Sequence, residues 1–163
     1  MKKISLISIF LILLLVGCTL GNTPTSRVED LLLNYQMLDN SINIDYITLM
    51  GDDLSLDLRS DYEEVIRKQY KNMSYEIKDE EIDGDYSLVT VEIEVMDYKK
   101  AIGMYDRGNY DLVRYQELVL EELKNTKEMV TYTIEFELTK DDEGIWTVND
   151  LGSDINNKLL GIY

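Results

Sequence analysis

Thirty-two carboxylates, sixteen basic side chains, twelve tyrosines, one cysteine and no histidine define the chemistry open to this 163-residue chain. Without histidine there is no serine–histidine or cysteine–histidine pair to activate a nucleophile, and no imidazole to hold a metal. A net charge of −16 sets the chain against nucleic acid, whose phosphates must be met by Lys and Arg. Tyrosine far outnumbers phenylalanine, which occurs twice. Tyr35, Tyr70, Tyr75 and Tyr132 fall on apolar faces, where a phenol can either line a pocket or supply an apolar body with a wet tip.

The carboxylates offer two further readings. Asp79, Glu81, Asp83 and Gly84 stand at the first, third, fifth and sixth positions of a calcium loop, but the twelfth, which should be a bidentate Glu, is Thr90. The flanks alternate as strands do, so the run fits a solvated hairpin turn, and Asp141-Asp142-Glu143-Gly144 fits another. No metal site is expected, although weak association of calcium with these carboxylates stays open. Asp79 and Asp150 share the inner parity of their strands and are the nearest approach to a general base. Such a base needs a shifted pKa and a positioned partner, and the surrounding rows supply neither. The expectation is a chain with no catalytic residues and no cofactor, and not an enzyme.

Cys18, the sole thiol, points elsewhere. Lys2 and Lys3 are followed by an apolar stretch over residues 4–16, softened by Ser5 and Ser8. As a helix that stretch reaches about 20 Å, short of the ~30 Å hydrocarbon core, which fits the apolar region of a secretory signal peptide. Leu15-Val16-Gly17-Cys18 then resembles the lipobox of bacterial lipoproteins. The resemblance implies a signal peptide over residues 1–17, cleavage before Cys18 and a diacylglyceryl group on its sulfur with fatty-acyl chains. The protein would then be anchored on the outer, extracytoplasmic face of a bacterial cell membrane. Two acyl chains are what stable anchoring takes, and lipidation leaves no thiol for disulfide chemistry. Residues 18–25, with Gly, Asn, Thr and the single Pro, read as a lipidated N-terminus and tether, and residues 26–163 as one domain.

Helix signals open the mature chain. Thr23-Pro24 suits an N-cap with proline in the first turn, Ser26 with Glu29 suits a capping box, and Val28, Leu31, Leu32, Tyr35 and Leu38 repeat at helical spacing. Ile42, Ile44, Ile47 and Leu49 suggest a short second helix. A third has Ser60 with Glu63 as its capping box and Tyr62, Val65, Ile66, Tyr70 and Met73 on one face. After Asn72 the period becomes two. Tyr75 and Ile77 begin a strand, Asp83-Gly84-Asp85 turns it, and Val89, Val91, Ile93 and Val95 alternate with Thr90, Glu92 and Glu94. A helical insertion carrying Leu112, Tyr115, Leu118, Val119 and Leu123 precedes a strand in which Val130, Tyr132, Ile134, Phe136 and Leu138 alternate with Thr and Glu. A last strand holds Trp146 as a core anchor, and a helical turn closes the chain near Leu159. One greasy and one charged face imply an antiparallel sheet with one side in water, hence an α+β domain with its N-terminal helices on a curved sheet.

Four segments carry a wider resemblance: Lys68-Gln69-Tyr70-Lys71-Asn72, Tyr75-Glu76-Ile77-Lys78-Asp79, Val130-Thr131-Tyr132-Thr133-Ile134-Glu135-Phe136, and Lys158-Leu159-Leu160-Gly161-Ile162-Tyr163. Spread over residues 23–163, they resemble small lipoproteins of Gram-positive bacteria with a nuclear-transport-factor-two-like (cystatin-like cone) fold. That resemblance implies a shape and an address but no reaction. Cone folds often hold a pocket between sheet and helices, which makes Tyr35, Tyr70, Tyr75 and Tyr132 its candidate lining. Enzymes on that fold, such as ketosteroid isomerases, place an aspartate base and acidic hydrogen-bond donors inside; the inner rows here hold Tyr132 as their single polar side chain. The expected function is a lipid-anchored, extracytoplasmic, non-catalytic binding or scaffolding domain with an envelope protein as partner. A small-ligand carrier using the cone pocket and a carboxylate-based enzyme are the alternatives.

Overall fold

The switch from helical to alternating hydrophobic period after Asn72 is where the sheet begins. In the computed structural model, which describes residues 21–38, 49 and 53–163, helices α1 (Pro24–Met37) and α2 (Arg59–Asn72) precede strands β1 (Ser74–Asp83) and β2 (Tyr86–Met96). An insertion with helices α3 (Tyr98–Ile102) and α4 (Leu112–Asn125) leads to strands β3 (Met129–Lys140) and β4 (Trp146–Val148), and α5 (Ser153–Leu159) closes the chain. The four strands form one antiparallel sheet in the order β1-β2-β3-β4. This is an α+β fold with helices laid on a curved sheet and a helical insertion between its two long central strands. The lipobox, residues 15–18, lies outside the described residues. So does the expected second helix, apart from Leu49, which is buried.

Alternation decides which face of the sheet is covered. Val89, Val91, Ile93 and Val95 have no exposed surface, and across the β2–β3 ladder Val91 faces Ile134 and Val89 faces Phe136. Helix α1 contributes Val28 and Leu32 to this core, and α2 contributes Tyr62, Val65, Ile66 and Tyr70. Each large side chain buried in this way contributes about 1.5–3 kcal/mol. The opposite face pairs Thr with Glu, as at Thr90–Glu135 and Glu92–Thr133, and stays in water.

Helix entry differs from the expectation at both long N-terminal helices. In α1 the capping box is Thr23 with Ser26: Ser26 N donates to Thr23 Oγ1 at 3.1 Å, and Thr23 N donates to Ser26 Oγ at 3.0 Å. Ser26 is therefore the third helical residue, and Glu29 remains on the exposed surface. In α2, Ser60 caps nothing, because the chain arrives through a 3₁₀ turn, Leu56–Leu58, and the α-helix already runs from Arg59. The stripe that α4 buries is Gln116, Val119, Leu120 and Leu123, with Leu112, Tyr115 and Leu118 half-buried beside it.

Residues expected to form the end of a tether are bonded into the domain. Asn22 Nδ2 donates to the Gly144 carbonyl at 2.7 Å, while Asn22 Oδ1 accepts from Trp146 N at 3.1 Å. Thr25 donates to Glu80 from its backbone N at 2.8 Å and from its hydroxyl at 2.6 Å, which sets a carboxylate at the N-terminus of α1. A short asparagine and a helix cap can tie down a stretch whose composition alone reads as loose.

Candidate functional site

Among the described residues the four tyrosines proposed from sequence lie in separate places, and Tyr75 borders a polar concavity of about 280 Å³ together with Glu76, Glu92, Glu94 and Thr131. Tyr35 and Tyr70 meet edge to face, with centroids 4.9 Å apart, and form part of the helix packing. Tyr132 lies toward the end of its row against Tyr163, at 6.0 Å, and its hydroxyl donates to the Tyr163 carbonyl at 3.3 Å. Tyr75 sits half-buried at the start of β1, opposite Ile93. Burial raises the hydroxyl pKa of Tyr35, Tyr75 and Tyr132, with neighbouring carboxylates adding to the effect at the last two. All three are neutral hydrogen-bonding groups at ordinary pH. Between them the central inner rows are closed. Val89, Val91, Ile93, Phe136 and Leu138 are fully buried, and side chains without accessible surface border no space that would admit a water.

The two candidate bases also leave the interior. A bulge between Ile77 and Asp79 inserts one residue into β1, so that Ile77 faces Val91 but Asp79 faces Thr90. One extra residue reverses the parity of everything after it, which moves Asp79 to the solvent face and Glu80 to the inner side. Asp150 lies past the end of β4 and is exposed. The acidic run around Asp79, Glu81 and Asp83 is continuous strand ending in a two-residue hairpin with Gly84 at φ +63°. In the other acidic loop, Asp141 Oδ1 accepts from the backbone N of Glu143 and of Ile145. Among the described residues, no group of three or more Asp, Glu, Cys and His is placed to hold a metal ion.

A further concave surface lies around the helical insertion. A cleft of about 270 Å³ lies between α3, the C-terminal turn of α4 and the loop into β3, with Ala101 and Met104 as its apolar part and Asp97, Lys100, Glu122 and Glu128 around it. Local structure positions each polar group. Asp97 caps α3 by accepting from Lys100 N at 3.0 Å, and its own backbone N donates to the Glu128 carbonyl at 2.9 Å. The Lys100 ammonium pairs with the Glu128 carboxylate across the cleft. Tyr105 Oη donates to Glu122 at 3.0 Å, and Thr126 Oγ1 closes the α4 C-terminus by donating to the Glu122 carbonyl at 2.8 Å. The bond to Glu128 raises the Lys100 pKa, and the bond to Glu122 raises that of Tyr105. Both therefore keep their protons at neutral pH. The cleft offers charges and a methionine to a ligand. It is also at or below the small end of ordinary ligand sites.

Two polar side chains that the sequence reading passed over are more deeply placed than any of these. Gln69 and Gln116 have no exposed surface. Gln69 Nε2 donates to the carbonyls of Met96 at 2.9 Å and Leu160 at 2.8 Å, and its Oε1 accepts from Met96 N at 2.9 Å. Gln116 accepts from Ser55 N at 3.1 Å and donates to the Asp53 carbonyl at 3.0 Å. The available signal was a glutamine set within an apolar helical stripe, between Ile66 and Tyr70 or just before Val119. A polar residue there must find partners inside.

No family model and no curated protein matches this chain. A similar solved structure is that of a Bacillus subtilis protein described as a lipoprotein (ycdA), with a TM-score of 0.42 and 17% identity. The match covers 85% of this chain and 47% of the other, so this chain spans about half the length of that protein. Among the described residues no helix is long and apolar enough to cross a membrane.

Proposed function

We propose that this protein is a lipid-anchored, extracytoplasmic domain of the bacterial cell envelope that acts by binding or scaffolding and not by catalysis. The observation that carries the reading is Leu15-Val16-Gly17-Cys18 placed directly after a charged start and a short apolar run. A small residue before the cysteine gives a signal peptidase access, and the thiol is the nucleophile that takes the diacylglyceryl group. The helix-covered antiparallel sheet supports a cone-type domain of the nuclear-transport-factor-two-like kind. Three features support a non-catalytic role: central inner rows packed shut, candidate bases in solvent, and a cleft whose lysine and tyrosine already hold carboxylates. A protein partner suits such a surface better than an enclosed small molecule does.

The test is metabolic labelling with a fatty-acid analogue in a Gram-positive host. Wild type should incorporate label and sediment with membranes. Cys18→Ala should remain an unlabelled precursor of higher mass. Equal labelling of the two would end the lipoprotein reading. Crosslinking in the native envelope, followed by capture of the tagged protein, addresses the binding role; recovery of the protein uncrosslinked under all conditions would count against it.

A further inference from the structure

The two ends of the sheet are not equivalent with respect to the N-terminus. The β1–β2 turn at Gly84 and the β3–β4 turn at Gly144 lie at one end, joined by the bond from Lys140 N to the Asp85 carbonyl at 2.8 Å and the Lys140–Asp85 ion pair at 3.3 Å. Asn22 is fastened to this end through Gly144 and Trp146. Helix α1 then runs toward the other end, where Gln36 Nε2 donates to the Met73 carbonyl at 2.7 Å, next to the start of β1. That distal end also carries Met96, α3 and the cleft bounded by Glu128. Strand β2 alone, 11 residues long, separates the two ends by about 35 Å at ~3.3 Å per residue.

From Cys18 to Asn22 is four residues. Whatever their conformation, they reach at most about 14 Å. We propose that lipidation at Cys18 therefore fixes how the domain stands: the double-turn end faces the lipid surface, and the distal end with its cleft faces away from it. The inference rests on the lipid-anchor reading above. A 14 Å leash cannot bring the distal end to the membrane first. Lying flat is opposed by charge. The solvent face of the sheet carries Glu92, Glu94, Glu135 and Glu137, and exposed Glu29 and Asp30 lie on α1. Anionic headgroups repel all of these. The turns themselves are acidic, with Asp83, Asp85, Asp141 and Asp142 exposed. Repulsion therefore lifts them by about one screening length of ~8 Å, which the leash permits. The domain is held upright by attachment at one end and by repulsion of the acidic sheet face and of α1.

The test uses the full chain, lipidated in its host, purified and reconstituted into mixed phosphatidylcholine–phosphatidylglycerol vesicles. Because Cys18 is the single native cysteine and its sulfur is alkylated, an introduced thiol alone accepts a fluorophore. Asp142→Cys reports on the turn end and Lys127→Cys on the distal end; both side chains are exposed. A quencher carried on lipid headgroups should darken the first label and leave the second bright. A flexible Gly/Ser insert after Cys18 should shrink that difference. Equal or reversed quenching in protein that floats with the vesicles would overturn the orientation alone. Protein that lacks the diacylglyceryl mass and does not float would overturn the lipid anchor, and the orientation with it.

Discussion

Gln69 and Gln116 are both fully buried amides on helices, and both hold the backbone of distant segments, yet they do different work. Gln69 satisfies three backbone groups, on Met96 and Leu160, and so ties the end of β2 to the C-terminal segment. The chain passes so close there that Gly161, at φ +71°, lies against the Met96 carbonyl, and Gly161 O accepts from Lys99 N at 2.8 Å. Gln116 satisfies two groups, on Asp53 and Ser55, in a segment that borders solvent, and the Gln116 backbone carbonyl accepts from Tyr62 Oη at 2.6 Å. The difference teaches that a buried amide is worth what its partners would lose. Met96 and Leu160 have little access to water, whereas Asp53 is exposed and Ser55 half-buried.

The most damaging change at the first clamp should be Gly161→Ala. A Cβ there would collide with the Met96 carbonyl, stand 2.6 Å from Gln69 Nε2, and require an unfavourable positive φ. A loss of about 4 kcal/mol is expected, read as a large fall in the urea midpoint; a loss below about 1 kcal/mol would mean that the C-terminal segment is not locked against β2. Next in size is the pair that tests the comparison directly. Gln69→Leu strands three poorly hydrated backbone groups and should cost about 3 kcal/mol, whereas Gln116→Leu should cost nearer 1 kcal/mol because water can replace it at Asp53 and Ser55. Equal midpoints would erase the distinction.

An effect as small as that of Gln116→Leu is expected at neutral pH from Tyr62→Phe, which removes one donor to the Gln116 carbonyl and about 1 kcal/mol. Its pH dependence is more telling. Burial, aided by Tyr115, pushes the Tyr62 hydroxyl well above the ordinary tyrosine range, and burial does the same to Tyr98. The folded state thus holds these protons more tightly than the unfolded chain, whose tyrosines titrate near ~10. Their contribution is complete below that pH and is lost as pH rises from ~10 through the higher folded values. Wild type should lose stability steeply in that alkaline window, and Tyr62→Phe should flatten the curve. Parallel curves for the two proteins would show that Tyr62 ionises freely in the folded state.

How much was legible follows from which interactions are local. The inner rows of β2 and β3 could be read because alternation is a property of neighbouring residues, and the buried stripe of α2 because helical spacing is too. The Asp83-Gly84-Asp85 turn was legible for the same reason. Thr23 reads as a cap from sequence, but Ser26, its partner in the structure, reads as the start of a separate box with Glu29. The candidate base Asp79 failed at a single inserted residue, because a bulge is fixed by the partner strand and not by the strand that carries it. The sequence does not decide whether the tyrosines line a pocket, because a polar tip on an apolar face does not say whether a neighbour fills the space beside it.

The sequence by itself determined the periods, the turns, the acidic charge and the lipobox-like motif before Cys18, since each depends on residues close together in the chain. Only the tertiary structure decided that Asn22 is already part of the domain, that Gln69 and Gly161 meet across 92 residues of chain, and that the two acidic turns share the end from which the N-terminus departs. Those are long-range pairings. Their energies come from which backbone groups lose water together, and no window along the chain contains both partners.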